Sequence, residues 1–170
     1  MRKLIWYLGI SVCIISGCIK QNDDNGTCNY PDSTVTTPAN EIADVQNYLT
    51  TNNITASQHP AGFFYKINIP GNGQPIINLC SNIVINYKGK LTNGAGFDST
   101  DITGPATYQL GQLIVGWQKG LPLISKGGKI TLYIPPTLGY GSTDVKNQAG
   151  VILIPKNSIL IFDIELLDIF

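Results

Sequence analysis

The 170-residue sequence is poor in charge. Lys and Arg number 11, Asp and Glu 11, so charged residues make up 13% of the chain and the formal net charge is zero. No basic field exists to hold a polyphosphate backbone, which sets nucleic acid aside as a partner. Histidine occurs once. No CxxC pair or histidine cluster offers metal-ligand spacing, so neither a metal nor a cofactor is expected. His59 stands beside Pro60 and reads as a solvated loop histidine. The apolar run Leu4–Ile15 is too short to cross a bilayer comfortably as a permanent helix.

What the chain does have is turn-forming and β-forming residues. It holds 18 Gly and 10 Pro, with frequent Ile and Val, at an ordinary apolar fraction of 43%. That mix favours many short strands.

The N-terminus is a targeting segment. Arg2 and Lys3 precede the apolar run, which ends Ile15-Ser16-Gly17-Cys18. This is the layout of a secretory signal peptide over residues 1–17. Its end resembles the bacterial lipobox, which implies cleavage before Cys18 and lipidation of that sulfur. Several acyl chains at about 0.8 kcal/mol per buried methylene would hold the protein at a membrane. Ile19 occupies the place where Asp marks inner-membrane retention in some bacteria, so the outer membrane is the favoured address. Residues 18–38, rich in Asn, Asp, Thr and Pro, read as a flexible lipid tether.

Of four cysteines, Cys13 leaves with the signal peptide and Cys18 carries lipid. Cys28 and Cys80 remain. An oxidising compartment permits a disulfide between them, pinning the tether to the domain. Two free thiols are the alternative.

Residues 39–60 read as an accessory helical segment. Ile42, Val45 and Leu49 share a helix face, with a start at Pro38-Ala39-Asn40 and a stop at Asn52-Asn53. The helix is expected outside the main sheet. Period-two alternation then marks strands: Phe63 to Ile69, Ile83 to Lys88 returning through Phe97, Ala106 to Leu110, Lys129 to Ile134, and Leu160 to Leu166. Each is expected to have one buried and one wetter face. Trp117, Leu121 and Ile124 instead fall at helical spacing. The fold class is therefore α+β: a twisted five- to six-stranded antiparallel sheet wrapped on a short helix, plus the short N-terminal helix.

Five motifs from about residue 62 onward resemble the FK506-binding protein family of peptidyl-prolyl cis-trans isomerases. Val84-Ile85-Asn86-Tyr87-Lys88-Gly89 is similar to its VxYxG strand, and Gly96-Phe97-Asp98-Ser99 to its FDS turn. Gly116-Trp117-Gln118-Lys119-Gly120-Leu121 resembles the start of its helix. Ile134–Gly141 resembles its IPxxxxYG segment, and Ile154–Leu167 its closing strand. The resemblance makes residues 61–170 an isomerase domain. It implies that Tyr87, Phe97, Trp117 and Phe162 wall the prolyl ring with Trp117 as floor, and that Asp98 and Tyr140 complete the catalytic set. Leu113, Ile114, Leu153 and Ile154 would form the rim, the Ile114 N–H donating to a substrate carbonyl. Ala106, where relatives often carry an aromatic wall residue, would leave the pocket more open on that side. The segment Ser142–Leu153 reads as a long loop overhanging the pocket.

The reaction implied is rotation about an X–Pro bond in exported proteins, with proline-containing polypeptides as substrates and FK506-like macrolides as ligands. A non-catalytic module that holds proline-containing segments, as chaperone or scaffold, is the alternative. A glycan-binding surface lipoprotein is a third reading, which needs aromatics on an open face rather than alternating inward.

Overall fold

The computed structural model describes residues 28–170. The signal segment and Cys18 lie outside the described residues. Helix α1 spans Ala39–Thr51. Strands β1 (Ser57–Gln58), β2 (Phe64–Ile69), β3 (Asn82–Leu91), β4 (Gly96–Ser99) and β5 (Ala106–Gln109) follow. Helix α2 spans Val115–Gly120, then come β6 (Lys129–Ile134), β7 (Val145–Lys146), β8 (Ile152–Ile154) and β9 (Leu160–Ile169).

Seven strands form one antiparallel sheet in the order β1-β2-β6-β9-β3-β4, with β5 also on β3. This exceeds the five or six expected from alternation. Two-residue β1 is too short to show a period, and β4 and β5 share one flank of β3. β5 pairs with Asn82–Ile85 and β4 with Lys88–Lys90. The segment Ser142–Leu153 is not an open loop, because β7 and β8 pair as a hairpin. Its turn is held by Asn147, whose Oδ1 accepts the Ala149 and Val151 N–H groups, each at 3.0 Å.

α2 lies directly on the sheet because two glycines let it. A Cβ on Gly116 would stand 2.7 Å from Ile134 carbons, and one on Gly120 2.8 Å from those of Leu132. Pro122 cannot continue the α-helical ladder, and Leu121–Leu123 is a 3-10 turn. Leu121 and Ile124 are nonetheless buried with Trp117 in the main core, between α2 and β3, β6 and β9.

A second core lies on the opposite face. Val45 and Leu49 of α1 pack there with Phe64, Tyr133 and Ile161. Burying each such aliphatic side chain is worth about 1.5–3 kcal/mol. The expectation of one wet face therefore fails at Phe64, Tyr133 and Ile161, which α1 covers. It also fails on β2, where Ile67 and Ile69 are 39% and 44% exposed. Alternation reports which side a residue takes, not whether anything covers that side.

Residues 28–38 are laid against the domain, where a flexible tether is expected. Cys28 and Cys80 form a disulfide with Cα atoms 5.7 Å apart. Tyr30 Oη donates to Gln109 Oε1 at 2.9 Å, and the buried Thr37 donates through Oγ1 to the Ala61 carbonyl at 2.7 Å. His59 is half-buried rather than solvated. Its ring stacks on Phe63 at 4.4 Å, and Nδ1 accepts the Ala61 N–H at 3.0 Å.

Candidate functional site

The concave side of the sheet opens into a cavity of about 510 Å³. Its floor is Trp117, placed by the seating of α2 on β6 and only 4% exposed. The indole Nε1–H is buried without an acceptor, so packing rather than a hydrogen bond holds this ring. Tyr87 meets it edge-on from β3, centroids 5.3 Å apart and planes at 79°. Phe162 meets it from β9 at 4.9 Å and 86°, and Phe97 of β4 meets Phe162 at 5.4 Å and 85°. Such edge-to-face contacts favour rings by about 0.5–1.5 kcal/mol beyond burial.

Strand register brings these rings together. Gly89 of β3 pairs with Phe162 on one side and with Asp98 on the other. A Cβ at Gly89 would stand 2.5 Å from a Phe97 ring carbon and 2.8 Å from one of Phe162. The glycine is the space into which both rings lean.

One polar group is built into this wall. Tyr87 Oη donates to Asp98 Oδ2 at 2.6 Å, and the Tyr108 hydroxyl lies 3.5 Å from Tyr87 Oη. Burial first, then the hydrogen bonds to Asp98 and Tyr108, pushes the Tyr87 hydroxyl well above its ordinary value. It stays protonated, so Asp98 acts as an acceptor fixing Tyr87. Burial, followed by the nearby Asp98 and Tyr108, also raises Tyr140. Tyr140 is 42% exposed and sits beside Gly141, whose φ of +60° lies in the left-handed region.

The rim combines Leu113 and Ile114, just before α2, with Val145, Leu153 and Ile154 of the β7–β8 hairpin. Among the described residues the Ile114 N–H has no intramolecular acceptor, because it precedes the first helical turn.

The cavity thus gathers Tyr87, Phe97, Asp98, Trp117, Tyr140, Phe162, Leu113, Ile114, Leu153 and Ile154. Ala106 is a correction: it does not line the cavity but pairs with Ile85 and packs against the main core. Tyr108, two residues along the same strand face, lines the site instead and closes the side expected to be open. Sequence reasoning missed Tyr108 and Val145 as lining residues. The alternation of Ala106, Tyr108 and Leu110 already put Tyr108 on the right face; of the three, Leu110 is fully buried in the core and Tyr108 reaches the site, its hydroxyl 3.5 Å from Tyr87 Oη.

Among the described residues no cluster of His, Cys, Asp and Glu could hold a metal ion, and no helix is long and apolar enough to cross a membrane.

Residues 76–167 match the sequence profile of the FKBP-type peptidyl-prolyl cis-trans isomerases. The chain is 50% identical over 114 residues to the FKBP-type peptidyl-prolyl cis-trans isomerase FkpA of Buchnera aphidicola subsp. Schizaphis graminum, covering 66% of this chain and 43% of that protein. The solved structure of FkpA from Escherichia coli superposes with a TM-score of 0.65 at 37% identity, covering 77% of this chain and 60% of that one. The crystal structure of AtFKBP13 superposes with a TM-score of 0.61 at 36% identity, covering 67% of this chain and 98% of that one. The chain spans about two fifths of the length of the FkpA relative it matches. By its matched profile, its fold and its shared residues, the chain belongs to the FKBP-type peptidyl-prolyl cis-trans isomerase family.

Proposed function

We propose that this protein is a peptidyl-prolyl cis-trans isomerase that accelerates X–Pro rotation in exported polypeptides. The observation that carries the reading is the cavity itself: four aromatic rings joined edge to face, one of them Tyr87, whose protonated hydroxyl is held by the Asp98 carboxylate. The barrier to rotation, about 18–20 kcal/mol, comes from amide resonance. Unaided, the change takes tens to hundreds of seconds. A site lowers that barrier by binding the twisted amide better than the planar one. The twisted amide has lost conjugation and part of its dipole, so an apolar cavity favours it.

The prolyl ring rests on Trp117 between Tyr87, Phe97 and Phe162. The Ile114 N–H and the Tyr140 hydroxyl donate to substrate carbonyls. Asp98 serves by orienting Tyr87, not by taking a proton. FK506-like macrolides compete for the same hollow.

Residues 1–17 act as signal peptide, and Cys18 carries lipid that anchors the protein to the cell envelope, at the outer membrane. The positive start, the apolar run and the terminal small pair before Cys18 support this. Labelling cells with an alkynyl fatty acid should mark the wild-type chain and leave Cys18→Ala unmarked.

A protease-coupled or NMR exchange assay on an Ala-Xaa-Pro-Phe peptide, with and without FK506, tests the activity. Isomerisation no faster than in buffer would defeat it. One observation favours the second reading, a proline-segment holdase. Val151, Ile152 and Leu153 stand exposed on the hairpin, and Leu153 lines the cavity with Tyr140. That reading predicts peptide binding with no change in the exchange rate.

A further inference from the structure

The rim of the cavity at Leu113 and Ile114 belongs to a loop rather than a strand, and several groups outside the cavity hold it. Leu110–Gln112 form a single 3-10 turn. On one side, Gln118 Nε2 donates to the carbonyls of Gly111 and Leu113 at 3.2 and 2.7 Å. Behind it, the Leu110 N–H donates to Ser81 O at 3.0 Å and the Gly111 N–H to Leu79 O at 2.7 Å. Those two acceptors flank Cys80, the residue bonded to Cys28.

Tyr30 comes in from the N-terminal segment over the same turn. Its ring occupies the place of a side chain at Gly111: a Cβ there would lie 2.5 Å from Tyr30 Cγ and 2.6 Å from Cδ1. The Tyr30 hydroxyl donates to Gln109 Oε1 at 2.9 Å, and Gln109 Nε2 donates in turn to the Cys80 carbonyl at 3.3 Å. The disulfide therefore fixes the segment two residues from the ring that covers Gly111.

We propose that Tyr30 is a positioning residue for the substrate cavity. By backing Gly111 it pre-orders the backbone of Leu113 and Ile114, so substrate affinity depends on a residue outside the region matched to the family, residues 76–167. This rests on the isomerase reading of the cavity. Glycine has the widest backbone freedom of any residue, and a turn left uncovered there would have to be ordered when substrate binds. Tyr30 removes that cost beforehand. The floor at Trp117, Tyr87 and Phe162 is untouched by Tyr30, so the effect falls on binding and not on the rotation step.

The test uses the full chain with its disulfide intact. In Tyr30→Ala, amide hydrogen exchange at Gly111 and Leu113 should quicken about tenfold while β6 and β9 amides keep their rates, as a local opening requires. The KM for a prolyl peptide should rise severalfold with kcat little changed. Tyr30→Phe keeps the ring and should behave as wild type. Gly111→Ala expels the ring and should reproduce Tyr30→Ala, and the double variant should be no worse than either single. Thr37→Ala, at the other anchor of the segment, should lower the melting temperature without moving KM. Unchanged exchange at Gly111 and Leu113 in Tyr30→Ala, or a uniform rise across all elements, would overturn the proposal. If no variant isomerises peptide, the isomerase reading fails; exchange and peptide affinity by NMR titration then still decide the role of Tyr30.

Discussion

Tyr87 donates its hydroxyl to Asp98 across 2.6 Å, closing β3 onto β4 at the edge of the aromatic cavity. Because the phenol is held protonated and the carboxylate is its acceptor, the pair is an orienting device rather than an acid–base couple. Phe97→Ala should therefore cost more activity than Asp98→Ala, about tenfold in kcat/KM or beyond, equivalent to ~1.4 kcal/mol of lost transition-state binding. Isomerisation kinetics on a short prolyl peptide measure both. The opposite order would indicate proton transfer.

The pH dependence follows from the same pair. With its pKa raised, Tyr87 remains a donor across neutral and mildly alkaline pH. The rate profile should be flat from about pH 6 to 9, since an ordinary tyrosine loses its proton only near 10. An inflection in that range would show that a titrating group takes part.

Gly89 is the space shared by Phe97 and Phe162. Gly89→Ala should push both rings off their contacts and reduce peptide affinity. The strand itself should persist, because the glycine's pairing with Phe162 and Asp98 is through backbone. Overpacking of this kind costs about 1–3 kcal/mol. Peptide titration beside a far-ultraviolet dichroism spectrum separates the two effects.

The Cys28–Cys80 bridge closes a sequence separation of 52 residues. Loop-closure entropy for that length corresponds to about 4 kcal/mol of stability. Cys80→Ser should lower the urea midpoint accordingly. Because the bridge also anchors Tyr30, its loss in Cys80→Ser should raise the KM for peptide more than the fall in stability alone would suggest.

His59 predicts a pH effect on stability. Burial, then the charge of Lys119, lowers its pKa below the ordinary 6.5. Above 6.5 both folded and unfolded states carry it neutral and its contribution is full. As pH falls through 6.5 the unfolded chain binds the proton first, so stability is lost towards the folded pKa. Urea midpoints at pH 7.5 and 5.5 should differ in wild type, and His59→Gln should remove that share of the difference.

Much of this protein is legible from residue order. The run Ile83 to Lys88 and the run Leu160 to Leu166 alternate cleanly, and both are central strands, β3 and β9. Helix α1 begins after Pro38 and ends at Asn52, as its punctuation indicates. The motif residues Tyr87, Phe97, Asp98, Trp117, Tyr140 and Phe162 do converge on one cavity. Local chemistry determines these things because proline and asparagine stop helices where they stand, and a period of two assigns a residue's side without regard to its neighbours.

Coverage and convergence across strands were decided only by the tertiary structure. Alternation puts Phe64 and Ile67 on opposite faces of β2, but no local pattern tells that α1 caps the first and that the second is left half-open. None tells that Tyr108 rather than Ala106 reaches the cavity, or that Tyr30 fills the place of a side chain at Gly111 eighty-one positions away. Such relationships depend on strand register and on what packs over each face. They exist only once distant segments have closed on one another, because burial is a property of neighbours and not of sequence.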